Sequence, residues 1–164
     1  MTLIVEDGTG LAEAEAFASA AMFKAWCDGR GIDWATLSDG EIEALLRAGA
    51  DYLAETYGGR LAGWRVSSRQ GLDWPRAGVP RRDAGSCLYF DSASVPAEIA
   101  RANIEAALKA REGALTPDQD RAVKRQKLGA LEVEYRDGGG GTFFPAIEAL
   151  MAPFLAAGCR VVRA

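Results

Sequence analysis

The chain of 164 residues contains no histidine. That removes the side chain most used as a general base, as a metal ligand and as a proton switch near neutrality. Carboxylate, lysine and cysteine chemistry stay open, so the absence weakens the case for an enzyme without closing it. Cysteine is scarce as well. Cys27, Cys87 and Cys159 are odd in number, far apart and never in C-x-x-C spacing, which excludes a disulfide framework and a cysteine zinc site and fits reduced thiols. No apolar run approaches the roughly 20 residues that span a bilayer, so no membrane partner is expected. Met1–Asp7 is short and acidic, unlike a secretion leader. Basic residues are in deficit, 19 Lys and Arg against 23 Asp and Glu for a net charge of −4, which argues against general affinity for nucleic acid.

Roughly half of the residues are apolar, enough to build the core of one domain, taken as residues 1–164. Thr2–Val5 reads as a short β-like start closed by Asp7-Gly8. The alanine-rich stretch from Leu11 to about Asp28 predicts a first helix, with Ala12, Ala16, Ala20, Phe23 and Cys27 on one stripe. The second helix is the clearest. Ser38 followed by Glu41 makes a capping box, Ile42, Leu45, Leu46, Gly49, Tyr52 and Leu53 repeat at helical spacing, and Gly58-Gly59 ends it. A third helix opens at Ser94 and Pro96 and runs to about Glu112. It carries Ile99 and Ala106 on one side and Ile104 and Leu108 on the other, so it is either central in a bundle or shared with another subunit. Leu131, Val133 and Tyr135 alternate with Glu132 and Glu134 as a half-buried strand leading to a glycine-rich tip at Asp137–Gly141. The last helix begins at Pro145 with Ile147, Leu150, Met151, Phe154 and Leu155 on one stripe, interrupted by Pro153. The fold class is therefore mainly α: a four-helix core with a short β-hairpin and an extended non-helical arm at about residues 59–93.

That arm holds the most informative segment, Gln70-Gly-Leu-Asp-Trp-Pro-Arg-Ala-Gly78. Pro75 fixes its own φ and drives Trp74 towards an extended conformation. With Trp64, Arg65, Arg69, Arg81 and Arg82 close by, two readings arise. Tryptophans and arginines together make a stacking platform for a single nucleic-acid strand. Alternatively, Trp64, Arg65, Trp74, Pro75 and Arg76 anchor a neighbouring subunit or neck protein, and the acidic balance favours this second reading. On it, Trp74 is dispensable to the monomer's fold. Cys87–Phe90 fits a short strand or an apolar knot.

Other candidate chemistry reads as structural. Gly138–Gly141 lacks the lysine and hydroxyl of a phosphate loop. Asp7, Glu13, Glu15, Asp51 and Glu55 read as solvated faces rather than acid–base pairs. Arg121, Lys124, Arg125 and Lys127 form a basic run that suits inter-subunit ion pairs better than nucleic acid. No catalytic residue, metal or cofactor is expected.

The order Val5-Glu-Asp-Gly8, Ala50-Asp-Tyr-Leu53 with Tyr57, Trp64-Arg65, Gln70-Gly-Leu-Asp-Trp-Pro-Arg76, Val95-Pro96, Val123-Lys124, Gly129-Ala-Leu-Glu-Val-Glu-Tyr135 and a last helix with Leu150 and Pro153 spans nearly the whole chain. It resembles a family of tailed-phage and prophage proteins labelled DnaT-like single-stranded-DNA-binding proteins, which look like the head–tail connector (adaptor) proteins of phages and gene transfer agents. The resemblance implies a structural subunit of the virion neck, present in the host cytoplasm before assembly. Its implied partners are the portal protein, a tail-side stopper or tail-terminator protein, its own copies in a ring (a dodecamer), and packaged DNA passing through the lumen. It further implies that the tail at 158–164 docks on the portal through Arg160, Val161, Val162, Arg163 and Ala164. The competing function is single-stranded-DNA binding on the aromatic and arginine platform.

Overall fold

The computed structural model describes residues 2–81, 88–116, the strands at 125–128 and 131–134, and residues 144–156. Four α-helices are present among them: α1 (Ala20–Asp28), α2 (Asp39–Tyr57), α3 (Ala97–Glu112) and α4 (Pro145–Met151). Two short antiparallel strand pairs join them, β1 (Trp64–Arg65) with β2 (Arg76–Ala77) and β3 (Arg125–Leu128) with β4 (Leu131–Glu134). The mainly α architecture with a small hairpin is the one the sequence predicts.

α2 starts where its capping box requires. The Ser38 hydroxyl accepts the Glu41 N–H at 3.3 Å, and the Glu41 carboxylate accepts the Ser38 N–H at 2.8 Å. Its apolar stripe, including Ile42, Leu46, Tyr52, Leu53 and Tyr57, is buried. α4 gives way to a 3₁₀ turn over Ala152–Phe154, as Pro153 dictates, and that turn drives Phe154 fully into the core.

α3 answers the question posed by its two apolar sides. Ile99, Ala102 and Ala106 belong to a cluster with Tyr52, Trp74, Met151 and Phe154. Ala100, Ile104, Ala107 and Leu108 belong to a second cluster with Phe23, Cys27, Ile42 and Leu46. The helix is therefore the central wall between two half-cores of one chain. Its contact with α2 is close enough at Gly49 that a Cβ there would fall 2.8 Å from the Asn103 carbonyl oxygen.

Three expectations need correction. The first helix begins at Ala20, capped by the Ser19 hydroxyl, not at Leu11. Residues before it run extended because tertiary hydrogen bonds outweigh alanine's helix propensity, itself worth under about 1 kcal/mol per residue. Glu6 N–H donates to the Ala16 carbonyl and Glu15 N–H to the Ile4 carbonyl at 2.9 and 2.8 Å. Buried Asn103 of α3 then accepts the Phe17 and Ala18 N–H groups at 3.0 and 3.2 Å and donates to the Leu46 carbonyl at 2.9 Å. The second correction concerns β4. Its partner strand precedes it, with Leu128 paired to Leu131, so the pair does not turn at 138–141; those glycines lie outside the described residues. The third concerns Trp74-Pro75-Arg76. The segment is non-helical as expected, but it is folded into the molecule's own interior.

Candidate functional site

The 59–93 stretch divides into an inside and an outside. On the inside, Trp74 is 1% exposed, its indole N–H donates to the Ser94 carbonyl at 2.7 Å, and its ring meets Phe90 and Phe154 edge-on. Pro75 is fully buried behind a cis peptide bond. Arg76 is 7% exposed, and its guanidinium is spent on backbone. It donates to the Ala62 and Gly63 carbonyls at 2.8 Å each and to Asp73 at 3.3 Å. Burial pulls its pKa down while the Asp73 carboxylate pulls the other way. Gln70, also buried, accepts the Ser67 N–H at 2.9 Å and donates to the Leu72 and Pro75 carbonyls at 2.9 and 3.0 Å. Trp74, Pro75 and Arg76 thus hold the loop together. Their reading as contacts for a neighbouring subunit fails because apolar area and backbone carbonyls of the same chain already satisfy them.

On the outside is a surface of different character. Trp64 is 65% exposed, with Val66, Leu88 and Tyr89 at 49%, 53% and 61%. These make up most of the exposed large hydrophobic residues among those described. Two ladder fragments bring them together. β2 pairs with Trp64–Arg65, and past Gly78 the same segment bonds to Leu88–Phe90, through Arg81 N–H to the Leu88 carbonyl and Phe90 N–H to the Val79 carbonyl. Gly78, at φ 72°, makes this possible. A Cβ there would lie 2.6 Å from the Trp64 indole, so the absence of a side chain lets the ring rest on the backbone with the rest of it in solvent. Gly63, at φ 66°, is required for the same reason, since its Cβ would collide with the Ala77 carbonyl.

Cations border this surface. Arg65 donates to Asp73 at 2.7 Å, Arg60 donates to Glu148 at 2.9 Å, Arg69 is exposed, and Arg81 lies 5.2 Å from the Phe90 ring centroid. The tryptophans of the other half-core are not comparable. Trp26 is overlaid by Arg30 at 3.1 Å and Trp34 by Lys24 at 5.0 Å, and their indole N–H groups are used by Glu105 and Asp28.

The remaining sequence candidates are dispersed. Arg125 and Lys127 lie on β3, in register with Glu134 and Glu132. Arg82, Arg121, Lys124 and the tail Arg160, Val161, Val162, Arg163 and Ala164 lie outside the described residues. Glu15 pairs with Arg47 at 3.0 Å, and that hydrogen bond lowers its pKa. Asp7 is lowered by the Thr9 hydroxyl. Among the described residues no three His, Cys, Asp or Glu gather as a metal set, and no helix is long and apolar enough to cross a membrane.

Sequence reasoning missed three polar residues. Glu6 is 3% exposed and accepts the N–H groups of Gly8, Gly10 and Leu11 at 2.8–2.9 Å. Gln70 and Asn103 are the other two. The only signal was a polar residue inside a motif or on an apolar face. Tyr89 was visible only as part of a possible strand.

A family model described as "Putative DnaT-like ssDNA binding protein" matches residues 1–164. No curated protein and no solved structure shows a significant match.

Proposed function

Since the chain belongs to this DnaT-like family, we propose that it is a binding protein for single-stranded DNA and that the strand lies on the surface of Trp64 and Tyr89. The observation that carries the reading is the placement of Trp64, 65% exposed and seated on the Gly78 backbone. An indole fixed on one side and wet on the other offers a base a stacking partner at little cost in side-chain freedom. Stacking is worth about 1–3 kcal/mol per base and is indifferent to sequence. Arg60, Arg65, Arg69 and Arg81 around it serve the phosphates. The chain's net charge of −4 confines this affinity to the patch and predicts modest rather than tight binding. No catalytic step, cofactor or metal enters the proposal.

The test is a fluorescence-anisotropy titration of a labelled oligothymidylate at two salt concentrations. Binding that weakens with salt and is lost in Trp64→Ala supports the reading. Equal binding by wild type and Trp64→Ala, or none by either, overturns it.

A second reading has its own support. Val66 and Leu88 share the surface, and an aliphatic group stacks poorly on a base but packs well on a protein. Together with the acidic net charge and the resemblance to neck adaptors, this favours a subunit of a phage or gene-transfer-agent head–tail ring. In that reading the same patch meets a neighbouring subunit or neck protein, and the tail from Arg160 to Ala164 meets the portal. Ring formation in sedimentation velocity and co-purification with a portal, with no oligonucleotide binding, would decide for it.

A further inference from the structure

The platform reading needs cations that reach phosphate, yet the arginine next to Trp64 is already held. Arg65 donates through Nη2 and Nε to a single oxygen, Asp73 Oδ1, at 2.7 and 3.2 Å. The pair is lopsided: the Arg65 side chain is 44% exposed and that of Asp73 only 14%. The carboxylate is sunk against Gly58, where a Cβ would lie 2.6 Å from Oδ2. Gly58 closes the carboxyl end of α2, the negative end of the helix dipole and an unfavourable place for an anion. Two cations offset this. Arg65 covers the carboxylate from the solvent side. Arg76 lies below, buried, with Nη1 on the Asp73 carbonyl at 3.3 Å and its charge felt at the carboxylate.

We infer that Asp73 is a displaceable lock on Arg65: it parks the guanidinium beside Trp64 in the free protein and yields it to the phosphate of a single strand stacked on that ring. The inference rests on the single-strand reading above and adds its regulation. Exposed ion pairs are weak and screened by salt, so a phosphate held in place by a stacked base competes on favourable terms. After the exchange Asp73 still faces Arg76, so the carboxylate is not stranded without a cation. A free anion lacks the stacked base and gains little by breaking the pair, so the lock favours a strand over a stray phosphate. The aromatic contact and the charge contact are thereby made to depend on each other.

The experiment compares wild type, Asp73→Asn, Arg65→Gln and the double variant for binding of the labelled oligothymidylate at two salt concentrations, with a thermal melt of each. Asp73→Asn removes the competitor for Arg65 and should bind about two- to fivefold more tightly than wild type. The gain should vanish in the double variant, which isolates the coupling. If wild type binds and a folded Asp73→Asn binds no more tightly, the lock is overturned and the platform survives. If wild type does not bind at all, the platform reading fails and this inference falls with it. Should Asp73→Asn not fold, the wild-type Arg65 Nε–H resonance decides. A shift on adding oligonucleotide supports the exchange, and an unmoved resonance under saturating strand overturns it.

Discussion

At the scale of single residues, two tryptophans ten positions apart have opposite fates, and the difference lies in their surroundings. Trp74 precedes a proline and is enclosed by Phe90, Phe154 and the Ser94 carbonyl. Trp64 precedes Arg65 and rests on a glycine with nothing above it. Trp74→Ala should cost about 3–5 kcal/mol of stability, the range for emptying an aromatic site in a core, read as a lowered midpoint in urea. Trp64→Ala should shift that midpoint by no more than about 0.5 kcal/mol while abolishing oligonucleotide binding. Both residues stood out in the sequence as large and costly to expose. Only the backbone path told which was which, because the deciding neighbours, Ser94 and Phe154 for one and Gly78 for the other, are set by tertiary folding. Arg76 was equally opaque. A guanidinium next to an aromatic reads as a hook for a partner until the carbonyls of residues 62 and 63 are seen to occupy it.

At the scale of elements, local signals succeeded where a helix could be built from its own residues. The capping box of α2 and the proline break after α4 are short-range chemistry, and both occur where the sequence placed them. Ser38→Ala should cost about 1 kcal/mol in thermal or urea unfolding, since it leaves the Glu41 N–H without its acceptor. The alanine-rich start failed as a helix because Asn103, some 85 residues away, claims the N–H groups of Phe17 and Ala18. Asn103→Ala strips partners from those two donors and from the Leu46 carbonyl together, and should cost more than about 2 kcal/mol. Hydrogen exchange should then show Phe17 and Ala18 amides losing protection ahead of those in α2. Loss of the α2 amides at the same rate would show that the extended segment and the helix open as one unit.

At the scale of the whole molecule, the absence of histidine makes stability insensitive to pH through neutrality. On the acid side, Asp7, Glu15 and Glu41 all have lowered pKa values, through Thr9, Arg47 and Ser38 respectively. Their contribution is complete above the unfolded carboxylate values near 4 and is lost as pH falls through the folded ones. On the alkaline side, burial raises the Cys27 thiol, and burial with the Glu148 hydrogen bond raises the Tyr57 phenol strongly. The folded state keeps protons that the unfolded chain releases, so stability falls as pH rises past the ordinary thiol and phenol values of about 8.5 and 10. A thermal-shift series across pH should show a plateau with both edges, and Tyr57→Phe should flatten the alkaline one. The amino-acid sequence by itself determined the mainly helical class, the cap of α2, the proline break after α4 and the candidacy of the middle third, because each follows from spacing or from one residue's covalent geometry. The tertiary structure alone decided which side of that middle third faces water, that both sides of α3 belong to a single chain, and that the first alanines run extended. Those outcomes depend on partners tens of residues away, and burial is a property of the assembled chain, which no local pattern encodes.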